Sequence, residues 1–136
     1  MEHKLLGLIR NTLVAGSTVR SYIDTRVYPS RISEIRNPKF PCVTIYVSNA
    51  VAPIECVEQS TFTNVEIRAH TQTQKQANEI YDAVRTLIRK KQLSDTNYYM
   101  VTGNMPEIPF TMTDPDSEPV TYNSFSNIVV YSQKRA

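Results

Sequence analysis

The chain has 136 residues and a formal net charge of +2, with 15 Lys and Arg against 13 Asp and Glu. This length predicts one domain, residues 1–136, whose core forms without metal ions or disulfides. The near-neutral charge disfavours a DNA-binding protein that depends on a basic surface. The chain has only three glycines, which are isolated from one another and form no glycine-rich phosphate loop.

The first third of the chain predicts a helix, a short strand and a loop. Leucine, isoleucine and valine recur at helical spacing over residues 2–15, and Gly16 follows them as a stop signal. A short helical turn is expected over residues 17–23. Residues 26–29 have the composition of a short strand closed by proline. Residues 30–41 contain charges and two prolines, which predicts a loop.

The middle third predicts two strands and the strongest helix. Residues 42–48 are β-branched and aromatic on both faces, which indicates a strand covered on both sides. Residues 59–70 alternate apolar and polar side chains, which indicates a half-buried strand. Residues 73–91 follow as a helix, because Thr73 and Gln76 fit a capping box and apolar residues recur at spacings of three and four.

The last third predicts two more strands separated by a long loop. The strands are residues 96–102 and 124–133, and the loop, residues 103–122, is rich in Pro, Asp and Glu. Such a loop is uncommon in a compact domain and is often ordered by a partner. The order of elements predicts an α+β fold, with a mostly antiparallel sheet and two α-helices packed on one of its faces.

The two long loops carry opposite charge. Residues 26–39 have four Lys or Arg and one acid, Glu34, whereas residues 105–120 have four Asp or Glu and no Lys or Arg. Unlike patches on one chain favour head-to-tail contacts between copies, and apolar residues in both loops favour contact over simple solvation. The candidate interface residues are Arg31, Ile32, Arg36, Lys39, Phe40, Met105, Glu107, Phe110, Asp114, Asp116 and Glu118.

The ends of the chain and its cysteines predict a cytoplasmic location. Charged residues interrupt residues 1–10, so we expect no signal peptide. No stretch reaches the roughly 18 uncharged residues of a membrane span, so we expect no membrane partner. Cys42 and Cys56 have no CxxC spacing and predict two reduced thiols.

Several short segments of the chain resemble a bacteriophage family. They are RVYP at 26–29, PCVTI at 41–45, VEIRA at 65–69, ANEIYDAV at 77–84 and DPD at 114–116. With the order of elements, they are similar to the tail terminator, or tail completion, proteins of long-tailed phages, including the minor tail protein U type. The resemblance covers nearly the whole chain.

That resemblance implies a structural role in the virion. Such proteins have a sheet flanked by two helices and assemble as a homohexameric ring. The ring caps the growing tail tube, stops its polymerisation and presents a surface to the neck of the head. The implied partners are a second copy of the chain, a tail tube protein and a head-closure or neck protein. The resemblance implies no reaction, no catalytic residue and no cofactor.

Three alternatives remain open from the sequence. The chain could be a head-closure or other neck protein. It could be a small metal-binding domain or Cys/His enzyme built on Cys42, Cys56 and His70. It could bind nucleic acid through the basic end of the helix, residues 85–91, although aromatic residues are not interleaved there. We expect no sequence-specific nucleic-acid contact.

Overall fold

The computed structural model describes residues 2–36, 38–51, 60–90, 98–102, 105–114 and 120–134. These residues form an α+β fold, as predicted. The elements in chain order are α1 (Glu2–Ala15), α2 (Ser17–Ile23), β1 (Val27–Tyr28), a 3₁₀ turn (Ile32–Glu34), β2 (Cys42–Val51), β3 (Ser60–Thr71), α3 (Gln74–Lys90), β4 (Tyr98–Thr102), β5 (Phe110–Asp114) and β6 (Thr121–Lys134). No described helix is long and apolar enough to cross a membrane.

The described chain has three α-helices where two were predicted. After α1 the backbone is extended at Gly16 and then re-enters a helix. That helix, α2, is stable in place because Val19 and Ile23, four residues apart, are both buried. Gly16 itself packs closely on α3, since a side chain added there would collide with Leu87.

The strands form one sheet in which β1, β2, β3, β6 and β4 are neighbours in that order, and β5 also pairs with β6. β4 pairs with residues 130–134 of β6 and β5 with residues 121–125, so both lie along the same edge of β6. The sheet is mixed rather than mostly antiparallel, because β1 runs parallel to β2. The long connection over residues 29–41 provides the crossover that a parallel pair requires.

One face of the sheet, the first face, packs against the helices. Val43, Ile45 and Val47 of β2 lie opposite alternate residues of β3, as the register requires. The core that the first face and the helices form together includes Ile9, Leu13, Val19, Ile23, Val43, Ile45, Val65, Ile67, Ile80, Val84 and Ile128. The described strand residues that alternate with these core residues, such as Thr44, Glu66 and Phe125, point to the opposite, second face.

The second face is more buried than the half-buried pattern of β3 predicted. Glu66 and His70 of β3 are both buried. Their burial is possible because each has a polar partner: Arg68 for the carboxylate and the Thr44 hydroxyl for the imidazole. On β2, both faces are covered, as predicted, because Cys42 and Thr44 are buried as well as the core residues.

Helix α3 begins with one half of the predicted capping box, because the Thr73 N–H donates to Oγ1 of Thr71 at 3.2 Å instead of to the Gln76 side chain. The backbone N–H of Gln76 donates to Oγ1 of Thr73 at 3.2 Å. We expect Thr73→Ala to lower the free energy of unfolding by about 1 kcal/mol, because that amide loses its acceptor. Urea denaturation measures the change, and Thr86→Ala, at an exposed position of the same helix, is the matched control. Equal effects of the two substitutions would contradict a capping role.

Candidate subunit interface

The basic segment, residues 31–39, connects β1 to β2 at one edge of the sheet. Arg31, Arg36 and Lys39 are exposed, and Ile32 is half-buried at the start of the 3₁₀ turn. Three cations are therefore available to solvent on this connection. The apolar residue is partly covered by its own chain.

The basic segment also lies against the second face. The guanidinium carbon of Arg31 is 4.9 Å from the centre of the Tyr46 ring, a cation–π distance. Phe40, at the end of the connection, is half-buried with its ring centre 6.5 Å from that of His70. These two contacts fix the segment to β2 and β3.

The acidic edge, residues 107–114, lies at the other side of the sheet. Its strand, β5, was predicted to be part of a loop, and that prediction is wrong: residues 110–114 pair with β6. Glu107 is exposed, and Asp114 is the last residue of β5. The predicted Asp116 and Glu118 lie outside the described residues. Exposed apolar side chains accompany these acids: Ile108, Phe110 and Met112 are 83%, 67% and 47% exposed.

Met105 is not an interface residue, although it was predicted to be an exposed one. Its side chain is only 1% exposed and belongs to the core. Two side chains of α3 hold the backbone there: Arg85 Nε donates to the Met105 carbonyl at 3.0 Å, and the Tyr81 hydroxyl donates to the Pro106 carbonyl at 2.6 Å. Met105 therefore anchors the chain just before the acidic edge.

A row of contacts across the second face joins the two edges, and the sequence did not predict it. Arg68 Nε and Glu66 Oε1 form an ion pair at 2.7 Å, with side chains 15% and 12% exposed. The Arg68 guanidinium carbon lies 3.9 Å from the Phe125 ring centre. The ring centres of Phe125 and Phe110 are 5.8 Å apart. The sequence signal was present: Glu66 and Arg68 are two residues apart on one strand, and so share a face.

Tyr46 completes this row at the basic side. It lies directly opposite Glu66 on the neighbouring strand and donates its hydroxyl to the Glu66 carboxylate. Burial, and then the hydrogen bond and charge of Glu66, raise the pKa of Tyr46 above its usual value. Tyr46 therefore stays protonated at neutral pH and remains a donor. Glu66 thus connects the tyrosine beneath Arg31 with the arginine above Phe125.

Burial of the Cys42 thiol disfavours the Cys/His alternative. Cys42 and His70 are directly opposite one another on β2 and β3, but burial raises the pKa of the Cys42 thiol to about 12. A protonated thiol is a poor nucleophile and a poor metal ligand. Cys56 lies outside the described residues, within which no group of three His, Cys, Asp or Glu side chains is placed to hold a metal ion.

We expect Cys42 to be unreactive in the folded protein. In a Cys56→Ser background, iodoacetamide at pH 8 should leave the native chain unmodified and alkylate it in urea, as mass spectrometry would show. Because the folded pKa is about 12 and the usual value is 9.0, the free energy of unfolding should fall as the pH rises above 9, where only the unfolded thiol ionises. Rapid alkylation of the native protein would contradict this.

The basic end of α3 is partly engaged within the chain. Arg85 is the donor to the Met105 carbonyl described above, and it is half-buried. Arg89 is exposed, and Lys91 lies outside the described residues. Arg89 is therefore the one exposed cation among the side chains of this group that the structure describes.

A scan against protein-family models and a search of curated proteins both find no match for this chain. The candidate interface therefore rests on the geometry of the chain itself. A basic segment and an acidic, apolar edge lie at opposite sides of one sheet, and a row of side-chain contacts joins them across the second face.

Proposed function

We propose that this protein is a ring-forming tail terminator of a long-tailed bacteriophage. In this role copies of the chain form a homohexameric ring that caps the tail tube, stops its polymerisation and joins the tail to the neck of the head. The observation that carries the proposal is the position of unlike charges at opposite edges of a single sheet. The resemblance of the sequence to that phage family names the kind of assembly.

The distance between the two edges favours contact between copies over contact within one chain. Arg31 stacks on Tyr46 of β2, and three strand spacings separate β2 from β5 across β3 and β6, which is about 14 Å at 4.8 Å per spacing. Charges this far apart are screened at physiological salt, where the Debye length is about 8 Å. The basic segment and the acidic edge thus find complementary partners only on a neighbouring copy. A contact of this head-to-tail kind closes into a ring when the rotation allows it.

Light scattering and tube binding test the proposal. The purified chain is expected to form a ring-sized oligomer, and to bind and shorten tubes assembled from the tube protein encoded beside its gene. Lys75→Glu with Arg89→Glu, two exposed positions on α3, is a control that should assemble normally. A monomer that neither binds tubes nor limits their length would overturn the proposal.

The head-closure alternative uses the same surfaces one layer nearer the head. Its test is the position of the protein in tails that assemble without heads. Presence of the protein at the end of such tails supports a terminator. Its absence from them, together with its presence on isolated heads, would favour the head-closure alternative.

A further inference from the structure

The exposed large hydrophobic residues of the described chain are grouped at the acidic edge and beside it. The large hydrophobic residues that are exposed there all lie on β5 or beside it, and they are Ile108, Phe110, Met112 and Val120. Single exposed apolar residues are ordinary, but a contiguous group marks an interaction surface. Phe110 and Met112 are two residues apart on β5, so both point to the second face.

Phe110 is held in place before any partner binds. Its ring packs against Phe125, and Arg68 covers the same Phe125 ring while paired with Glu66. An exposed aromatic side chain that is already ordered loses little conformational entropy on binding, and such residues are the usual anchors of protein interfaces. The patch is therefore organised to receive a partner.

A two-fold contact between two β5 strands is disfavoured by charge. Pairing β5 with its own copy in the antiparallel sense would bring the acids that flank one strand close to those that flank the other, and these include Glu107 and Asp114. Like charges placed opposite one another across strands are destabilising. A symmetric dimer through this edge would thus bury the apolar patch at the cost of electrostatic repulsion.

The opposite edge of the sheet does not supply a strand either. At β1, the carbonyl of Val27 accepts a hydrogen bond from Arg10 Nε at 3.1 Å, and the Val27 N–H donates to the Thr25 carbonyl at 2.8 Å. These backbone groups are used within the chain. Side-chain coverage of this kind protects an edge strand from pairing with another chain. The β1 edge is therefore not the occupant of the β5 edge.

We propose that the basic segment of a second copy covers the acidic edge, an inference that rests on the ring proposed above. The segment has the complementary composition, with exposed Arg36 and Lys39 beside half-buried Ile32 and Ile35. Its isoleucines contact Ile108, Phe110 and Met112, and its cations face the acids that flank β5. The contact joins unlike surfaces. Each copy therefore presents a donor side, which is its basic segment, and an acceptor side, which is its acidic edge.

Two variants, each lacking one side of the contact, test this inference. The acceptor variant is Phe110→Ser with Met112→Ser, and the donor variant is Arg36→Glu with Lys39→Glu. Full burial of one such apolar side chain corresponds to roughly 10- to 100-fold in affinity, so the acceptor variant should self-associate at least tenfold more weakly than the wild type. Circular dichroism and urea denaturation establish that both variants are folded.

The decisive measurement is light scattering of the two variants mixed in equal amounts. Each variant retains the side that the other lacks. At a concentration just above the wild-type dissociation constant, where each variant alone is mostly monomeric, the mixture should therefore give a one-to-one heterodimer that grows no further. A mixture that stays monomeric would overturn the inference, as would self-assembly of the donor variant with the affinity of the wild type or a wild type that is monomeric at millimolar concentration.

The same measurements separate this inference from the proposed function. If the mixture forms heterodimers but the wild type does not bind tail tubes, the contact between copies stands and tail capping fails. If the wild type caps tubes but the mixture stays monomeric, tail capping stands and this contact is wrong.

Discussion

Glu66→Gln is expected to lower the free energy of unfolding by about 2–3 kcal/mol and the melting temperature by roughly 7–10 °C. The Glu66 carboxylate is the partner of Arg68 at 2.7 Å and the acceptor of the Tyr46 hydroxyl. Removing one member of a buried pair leaves the other charge without compensation, which costs up to about 5 kcal/mol when burial is complete. The Glu66 and Arg68 side chains are slightly exposed, which reduces the loss.

Glu79→Gln is the matched control for that substitution. Glu79 is exposed on α3, and surface changes of this kind usually alter stability by less than about 0.5 kcal/mol. Replacing both members, as Glu66→Leu with Arg68→Met, should recover much of the loss because no unpaired charge remains. Urea denaturation of the four proteins measures these differences. A Glu66→Gln loss no greater than that of Glu79→Gln would show that the ion pair is unimportant.

Glu66 should also affect assembly, because it connects the two edges. Through Tyr46 it supports the ring that Arg31 covers, and through Arg68 it supports the ring that packs on Phe110. At a temperature where Glu66→Gln is still folded, both edges should be less ordered. Oligomers of this variant are therefore expected to dissociate at a higher protein concentration than those of the wild type.

Local patterns in the sequence predicted the helices and central strands well. The helical spacing of residues 2–15 and the cap at Thr73 correspond to α1 and α3. Alternation over residues 42–48 correctly predicted β2. These features depend on neighbours within a few residues, so a single sequence contains the information. The α+β class follows from them.

Features that depend on distant partners were not predicted. β5 was taken for loop because its flanking prolines and acids dominate the composition, although Phe110 and Met112 alternate with threonines. Met105 was placed on the surface because only the hydrogen bonds from α3 reveal that its backbone is held against the core. The parallel pairing of β1 with β2 likewise depends on where the long connection over residues 29–41 returns to the sheet.

For the candidate interface, the sequence contained the charges but not their arrangement. The opposite net charges of the two loops follow from their composition alone. That they lie at opposite edges follows from the strand order, in which β6, the last strand, is inserted between β3 and β4. The contacts of Glu66 and Arg68 with rings on other strands likewise require the register of β3 against β2 and β6.

Reversing the charge on one edge is expected to weaken assembly about tenfold, and reversing both edges should restore it. From the sequence, the sets to reverse are Arg31 with Arg36 and Asp114 with Asp116. The structure favours reversing the charge of Lys39 together with Arg36, and not that of Arg31, because Arg31 also stacks on Tyr46. Exposed ion pairs contribute about 0.2–1 kcal/mol each, so two attractions turned into repulsions correspond to about 1–2 kcal/mol, or roughly tenfold.

Sedimentation at several salt concentrations measures this effect. The variant with Arg36→Glu and Lys39→Glu should lose affinity most clearly at low salt, because the Debye length is then longer. Adding Asp114→Lys and Asp116→Lys to the same chain should return the affinity to within about threefold of the wild type, since complementary charges again face each other. A further loss in the combined variant would mean that the two edges do not meet. Unchanged assembly in every variant would mean that the charges of the two edges play no part in the contact, and would contradict the basic segment as its donor side.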